Sequence, residues 1–175
     1  MAYPVNGPIR LRLPEPADLP SMLAWENEPE NWKVSNRTTP YSEDFLRRYL
    51  DDAGKDFWEV LQVRFVIESV QDGRAVGAVD LYDAHPVHQR AGVGILLDQS
   101  ARGQGWAGLA LEATHDWAFN HALLRQVYAE VHLQNANSIR LFEQAGYASA
   151  GVWKSWHRTR QGFEDVALFQ LFAPQ

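Results

Sequence analysis

The sequence predicts an α/β (α+β) protein built on a mixed sheet with helices on its faces, and three observations carry that expectation. Several short runs alternate apolar with polar residues, the period of strands with one buried face. Other segments repeat apolar residues every three or four positions, the period of amphipathic helices. The order reads strand, two helices, three strands, helix, strand, helix, two strands, with no repeat, linker or low-complexity segment.

Ile9-Arg10-Leu11-Arg12-Leu13 alternates as the first strand. After Pro14 and Pro16, Asp18 is placed to cap a helix whose Leu19, Met22, Leu23 and Glu26 recur at three and four, ending near Asn27 to Pro29. Glu28-Pro29-Glu30-Asn31-Trp32 reads as a polar, acidic loop. Ser42 opens a second helix, with Glu43 and Asp44 opposing its positive end and Phe45, Leu46, Tyr49 and Leu50 as its apolar face. Arg64 to Val70 and Ala75 to Tyr82 are strands joined by Gln71-Asp72-Gly73-Arg74, where glycine accepts the positive φ of the turn. After His85-Pro86 a third strand, Ala91 to Asp98, contains Gly92 and Gly94, which predict a bulge or a closely approached backbone. Gly105 to Leu124 is a long helix with Trp106, Ala110, Ala113, Trp117 and Leu124 along one stripe. Gln126 to Leu133 is a strand, Ser138 to Ala145 a short helix ended by Gly146, and Ala148 to Trp156 with Phe163 to Phe172 a hairpin turning near Gln161-Gly162.

At 175 residues the chain is long enough for one domain, 1–175, with a core of its own. It has no cysteine, which removes disulfides, thiolate metal sites and every cysteine-bound covalent intermediate. Sixteen basic against 22 acidic side chains give a net charge of −6, which argues against nucleic acid or an anionic membrane as partner and favours cationic ones. No run approaches the roughly 18 apolar residues of a membrane span, and Met1 to Arg12 lacks a signal-peptide core, so the expectation is a cytoplasmic protein. His85-Pro86-Val87-His88 supplies two histidines without a third ligand at metal spacing, and no metal is expected.

The chemical centre is Asp98-Gln99-Ser100-Ala101-Arg102-Gly103-Gln104-Gly105-Trp106-Ala107-Gly108, between a strand and a helix. Backbone N–H groups at a helix start are unsatisfied and carry the positive dipole end, so glycines there admit phosphate oxygens. Gly103, Gly105 and Gly108 also satisfy the dinucleotide pattern G-x-G-x-x-G, with Glu130 downstream. That pattern belongs after a first strand with further parallel β-α units to follow, whereas a strand, a short helix and a hairpin follow here. A dinucleotide-binding protein is therefore the weakest of the readings.

At these residues the chain resembles the GNAT acetyltransferases, whose signature R/Q-x-x-G-x-G/A is matched by Arg102-Gly103-Gln104-Gly105-Trp106-Ala107. Asn135 to Tyr147 resembles the family's second segment: an Asn, a short helix and a Gly-aromatic pair. Ile9 to Arg12 with Asp18, Gly77, and Gly162 with Asp165 resemble the branch that acetylates protein N-terminal amines or polyamines such as spermidine. The resemblance implies the GNAT fold, a mixed, mostly antiparallel sheet of about six to seven strands with helices on both faces. It implies acetyl-CoA as donor, its pyrophosphate on Arg102 to Gly108 and its pantetheine along Ile95-Leu96-Leu97. Asn135, Ser138 and Phe142 then flank the pantetheine arm and thiol. A homodimer is the default assembly.

Acyl transfer from a thioester to an amine needs an uncharged nucleophile, a stabilised oxyanion and a proton for the thiolate. With cysteine absent, direct attack is the simplest route. A bulge at Gly92 and Gly94 would leave an N–H near Leu96 or Leu97 for the oxyanion; alternatively the glycines relieve crowding. An alkylamine of pKa ~10.4 lies ~3.4 units, roughly 4.6 kcal/mol, from its neutral form at pH 7, against about 1 kcal/mol for an α-amine. Glu130, five residues before Asn135, resembles the base of ribosomal-protein N-acetyltransferases; the alternative is an exposed strand residue. Asp80 and His88 are further candidates, acting through water. Relatives place a tyrosine where Phe142 stands, so the acid role passes to Ser138, Tyr147 or water, or the thiolate leaves unprotonated. A non-catalytic acyl-CoA sensor is the reading from a different class. Trp25 and Trp32 beside Glu26, Glu28 and Glu30 suggest a collar for an ammonium group, with Asp80 as a further acceptor-binding residue; solvated loop is the alternative.

Overall fold

The computed structural model describes residues 4–32, 38–159 and 161–174. Among these the strands are β1 (Val5–Asn6), β2 (Ile9–Arg12), β3 (Val63–Ser69), β4 (Ala75–His85), β5 (Arg90–Leu97), β6 (Gln126–His132), β7 (Ala148–Thr159) and β8 (Gly162–Phe172). The helices are α1 (Leu19–Asn27), α2 (Pro29–Trp32), α3 (Glu43–Asp52), α4 (Phe57–Val60), α5 (Trp106–Asn120) and α6 (Ala136–Gln144). One eight-stranded sheet runs β1-β2-β3-β4-β5-β6-β8-β7. Every neighbouring pair is antiparallel except β5 with β6, and a parallel pair requires a crossover, which α5 supplies. The doubly wound arrangement of a dinucleotide fold is thereby excluded.

Strand alternation divides the apolar residues between two cores. Val79 and Leu81 of β4 join Ile9, Leu11, Val127, Ala129 and Val131 beneath α5 and α6. Ala78 joins Met22 and Trp25 of α1 and Leu46 of α3 on the opposite face. Tyr128, Glu130 and His132 alternate with the first set, so β6 presents them on the α1/α3 face.

Several local expectations are corrected. The strand beyond the seven expected is β1, whose two residues are too few to alternate. Asp18 does not cap α1; its carboxylate is buried, takes a bidentate pair from Arg12 at 2.6 and 2.8 Å, and accepts the N–H of Glu15. The long helix stops at Asn120 rather than Leu124, because Leu123 adopts φ 54° and Leu124 N–H folds back to Ala118 O at 2.9 Å. Part of the segment read as a loop, 29–32, winds into α2.

The bulge is also displaced. Gly92 and Gly94 pair in unbroken register with Tyr82 and Asp80, and the irregularity falls between Tyr82 and His85, where Asp83 takes φ 49°. What Gly92 relieves is crowding by a ring: a Cβ there would stand 2.5 Å from Cε2 and 2.6 Å from Cζ of Tyr82.

Candidate active site

The glycine loop is organised from both ends. Asp98 accepts the N–H and hydroxyl of Ser100 at 2.9 and 2.6 Å and the indole N–H of Trp25 at 3.3 Å, fixing a single 3-10 turn, Gln99–Ala101. Arg102 then donates Nε–H to Leu97 O at 3.1 Å and a terminal N–H to Asn31 Oδ1 at 3.3 Å, while Gln104 Nε2 donates to Ser100 O at 3.2 Å. Gly103 and Gly105 adopt φ 78° and 77°, a left-handed backbone that side chains resist. A Cβ at Gly103, Gly105 or Gly108 would meet nothing within 4 Å. Among the described residues no side chain caps the 15-residue α5, so its first N–H groups stand open at a glycine concavity, which fits a pyrophosphate. Trp106 and Ala107 turn into the core and hold the helix start against the sheet.

Beside this loop the sheet parts. The β5–β6 ladder comprises Arg90–Gly92 against Gln126–Tyr128 and goes no further. Asp98 N–H donates to Val76 O on the β4 side at 2.8 Å, so strand alternation directs the N–H groups of Leu97 and Ile95 to the opposite edge, into the gap. Leu97 O on that edge is the atom Arg102 holds. The N–H groups expected near Leu96 or Leu97 are thus opened by divergence of β5 and β6, with no bulge in β5. Leu96 alternates to the other side and packs towards α1 and α3.

Across the gap, Asn135 accepts the N–H of Ser138 at 3.1 Å as the cap of α6, leaving its Nδ2 for a ligand. Ser138 is half-buried in that first turn. Phe142 is 4% exposed, edge-on to Tyr147 and stacked on Phe169 as a core residue. Tyr147 is equally enclosed, its hydroxyl 2.8 Å from His115 Nε2 beneath α5, and burial pushes its phenol up.

The α1/α3 face of the sheet carries a different chemistry. Arg64 of β3 is held bidentately by Asp80 at 2.7 and 2.9 Å and by Glu26 of α1 at 2.5 Å. Two carboxylates on one guanidinium leave one negative charge in excess. Burial and Asp80 push the neighbouring Tyr49 phenol up to about 12. A cleft of ≈ 280 Å³ opens here, lined by Tyr41, Tyr49, Arg64, Asp80 and Tyr82 among others. Glu130 stands half-buried on the same face; burial, then the charge of Asp83, hold its carboxyl above the usual range. That environment makes the carboxylate a stronger proton acceptor than an exposed one.

The expected aromatic and acidic collar is not assembled. Trp25 is a 6% exposed core residue tied to Asp98, Glu28 and Glu30 face solvent, and Glu26 is spent on Arg64. Trp32 buries its Nε1 with no hydrogen-bond partner among the described residues. Asp80, paired with Arg64, is not a free base, and His88 stacks on His85 at the far end of β5 from the glycine loop. Sequence reasoning missed Arg64, Tyr82 and Asp83. The Arg64–Asp80 pair was within reach, since the glycine turn at Gly73 sets them opposite one another. Among the described residues no three His, Cys, Asp or Glu cluster to hold a metal, and no helix is long and apolar enough to cross a membrane.

Comparison with known proteins gives the same frame. The chain is 27% identical over 88 residues to a spermidine N(1)-acetyltransferase of Vibrio cholerae, a match covering 50% of each chain, so it spans about half that relative's length. It is 24% identical over 164 residues to an uncharacterized N-acetyltransferase of Bacillus licheniformis, covering 93% of this chain and 92% of that one. Among solved structures, the Vibrio cholerae spermidine N-acetyltransferase in complex with CoA and spermine superposes with a TM-score of 0.87 at 22% identity, over 95% of this chain and 96% of the other, which speaks for the fold. Residues 9–148 match the acetyltransferase (GNAT) domain, and with the glycine loop, the parted strands and the capped α6 in place, the chain belongs to the GNAT acetyltransferase family.

Proposed function

We propose that this protein transfers the acetyl group of acetyl-CoA directly to a primary amine, with a polyamine such as spermidine favoured over a protein N-terminus as acceptor. The observation that carries the reading is the parting of β5 and β6, which opens the N–H groups of Ile95 and Leu97 beside the glycine loop, while Tyr82, paired with the last β5 residue in register with β6, also lines the cleft that holds Asp80. Arg102 to Gly108 bind the donor's pyrophosphate through backbone N–H groups, and Asn135 and Ser138 flank its arm. Leu97 N–H faces the carbonyl oxygen as charge develops there, a donor already fixed in place by Arg102 on the same peptide edge. Glu130 takes the amine's proton, which its raised pKa favours. The negative excess around Glu26, Asp80 and Asp83 supports a cationic acceptor, and the Vibrio cholerae structure that superposes was solved with spermine. A sensor reading has no comparable support, because a base and an acceptor cleft would have no use in it.

The test is acetyl-CoA turnover against spermidine, aminoglycosides and short peptides, run beside Glu130→Gln. Turnover with spermidine and a loss of about 10²-fold or more in kcat for the variant are expected. A Glu130→Gln rate equal to wild type at pH 7 removes Glu130 from the base role. Thermal stabilisation by NAD and not by acetyl-CoA would overturn the donor assignment.

A further inference from the structure

Amide formation expels a thiolate, and thiols of pKa about 8.5 hold their proton at pH 7, so the leaving sulfur must acquire one. Besides Tyr128, which stands against Tyr82 on β6, the hydroxyls near the parted strands among the described residues are few. Phe142 has none, and Tyr147 is engaged by His115 on the far face. Ser138 lies beyond the end of β6, in the turn that opens α6.

Tyr82 is placed differently. It pairs across from Gly92, and Gly92 is the last residue of β5 in register with β6. Its ring leaves β4 and crosses β5: the position a Cβ would take on Gly92 is 2.6 Å from Cζ, the carbon that bears the hydroxyl, and that on Gly94 is 3.6 Å from Cε1. The ring then meets Tyr128 of β6 edge-on, with centroids 6.4 Å apart. The hydroxyl end is therefore carried to the point where the two strands separate, on the same sheet face as Glu130. No other residue type at position 92 leaves room for this crossing.

We propose that Tyr82 is a catalytic residue, its hydroxyl delivering the proton to the departing thiolate. Burial, and next the charge of Glu130, raise the phenol above its usual range, so it holds its proton at neutral pH. A phenol releases that proton to a thiolate only if its own oxygen is resupplied, and Glu130, loaded with the amine's proton, is the resupply. The step balances from the neutral amine, the ammonium's extra proton having passed to water before attack: the C–N bond forms and the C–S bond breaks; one amine proton passes to Glu130 and on to the Tyr82 oxygen, while the Tyr82 proton passes to sulfur. Glu130 ends as carboxylate and Tyr82 as phenol. The inference rests on the acetyl-transfer reading with Glu130 as base.

Tyr82→Phe keeps the ring and its packing. With acetyl-CoA and spermidine, kcat is expected to fall about 10²-fold, with KM for acetyl-CoA and thermal stabilisation by CoA unchanged. Site-specific 3,5-difluorotyrosine at position 82, which retains the hydroxyl, restores turnover. Gly92→Ala, which pushes the ring aside, also lowers kcat, but not further in the Tyr82→Phe background, because both remove one interaction. A Tyr82→Phe kcat within twofold of wild type, or a loss found instead in Ser138→Ala or Tyr128→Phe, overturns the assignment and leaves acetyl transfer standing. Failure of the wild-type protein to turn over any acceptor overturns both.

Discussion

His115 of α5 is half-buried with its Nε2 against the Tyr147 hydroxyl, and burial pushes its imidazole down to about 4 from 6.5. The unfolded chain therefore takes up a proton between those values that the folded chain resists, so stability is full above 6.5 and falls as pH drops towards 4. Between pH 7 and 5 a loss on the order of 1–2 kcal/mol is expected from this group, read from denaturant unfolding. His157, lowered chiefly by burial, titrates in the same direction, so the wild-type loss is compared with that of His115→Leu, which should be smaller by the His115 share. An identical loss in both proteins would show that the imidazole is not held neutral. Residues of this kind differ in how far the sequence discloses them. Glu130 was readable because alternation along Gln126 to Leu133 puts it opposite the apolar set, and because its spacing to Asn135 resembles the family's. Tyr82 was not, since its importance depends on a cross-strand glycine ten positions away, and that register exists only once the hairpin is paired.

The glycine loop and the helix it opens were legible as elements because left-handed glycines and an uncapped helix start leave marks in composition. The gap beside them was not: two strands part for want of ladder partners, and no residue type encodes a missing partner. The Gly92 and Gly94 pair pointed to the right strand with the wrong geometry. Two substitutions separate the loop's binding role from its fold. Gly103→Ala places a side chain at φ 78° in open space, so the cost is backbone strain, about 1–2 kcal/mol. Gly108→Ala sits in the first turn of α5, also in open space, where alanine gains about 1 kcal/mol in helix propensity. Thermal unfolding should thus move in opposite directions for the two variants. If the phosphates lie against this backbone, both raise KM for acetyl-CoA, by about tenfold for each 1.4 kcal/mol of lost contact. Unchanged KM in both would place the pyrophosphate elsewhere.

At the scale of the whole molecule, the sheet separates two duties. The α5/α6 face holds the larger apolar core, while the α1/α3 face holds Arg64 with its two carboxylates, Tyr49, Tyr82 and Glu130. The net charge of −6 therefore acquires a direction: on the face proposed for the acceptor, Glu26 and Asp80 outnumber the one arginine they hold, so that ion cluster is net negative. A field of that sign concentrates cations, and its reach is set by salt, with a screening length of about 30 Å at 0.01 M and about 10 Å at 0.1 M ionic strength. For a polyamine bearing several charges the encounter gains in proportion to its charge; for an amine with one charge it gains little. Raising ionic strength across that range should therefore lower kcat/KM for spermidine several-fold and lower it less for a monoamine of similar length, with kcat for both nearly constant. If the two acceptors respond alike, the charge distribution does not select the substrate, and selection lies in the contacts of the cleft itself.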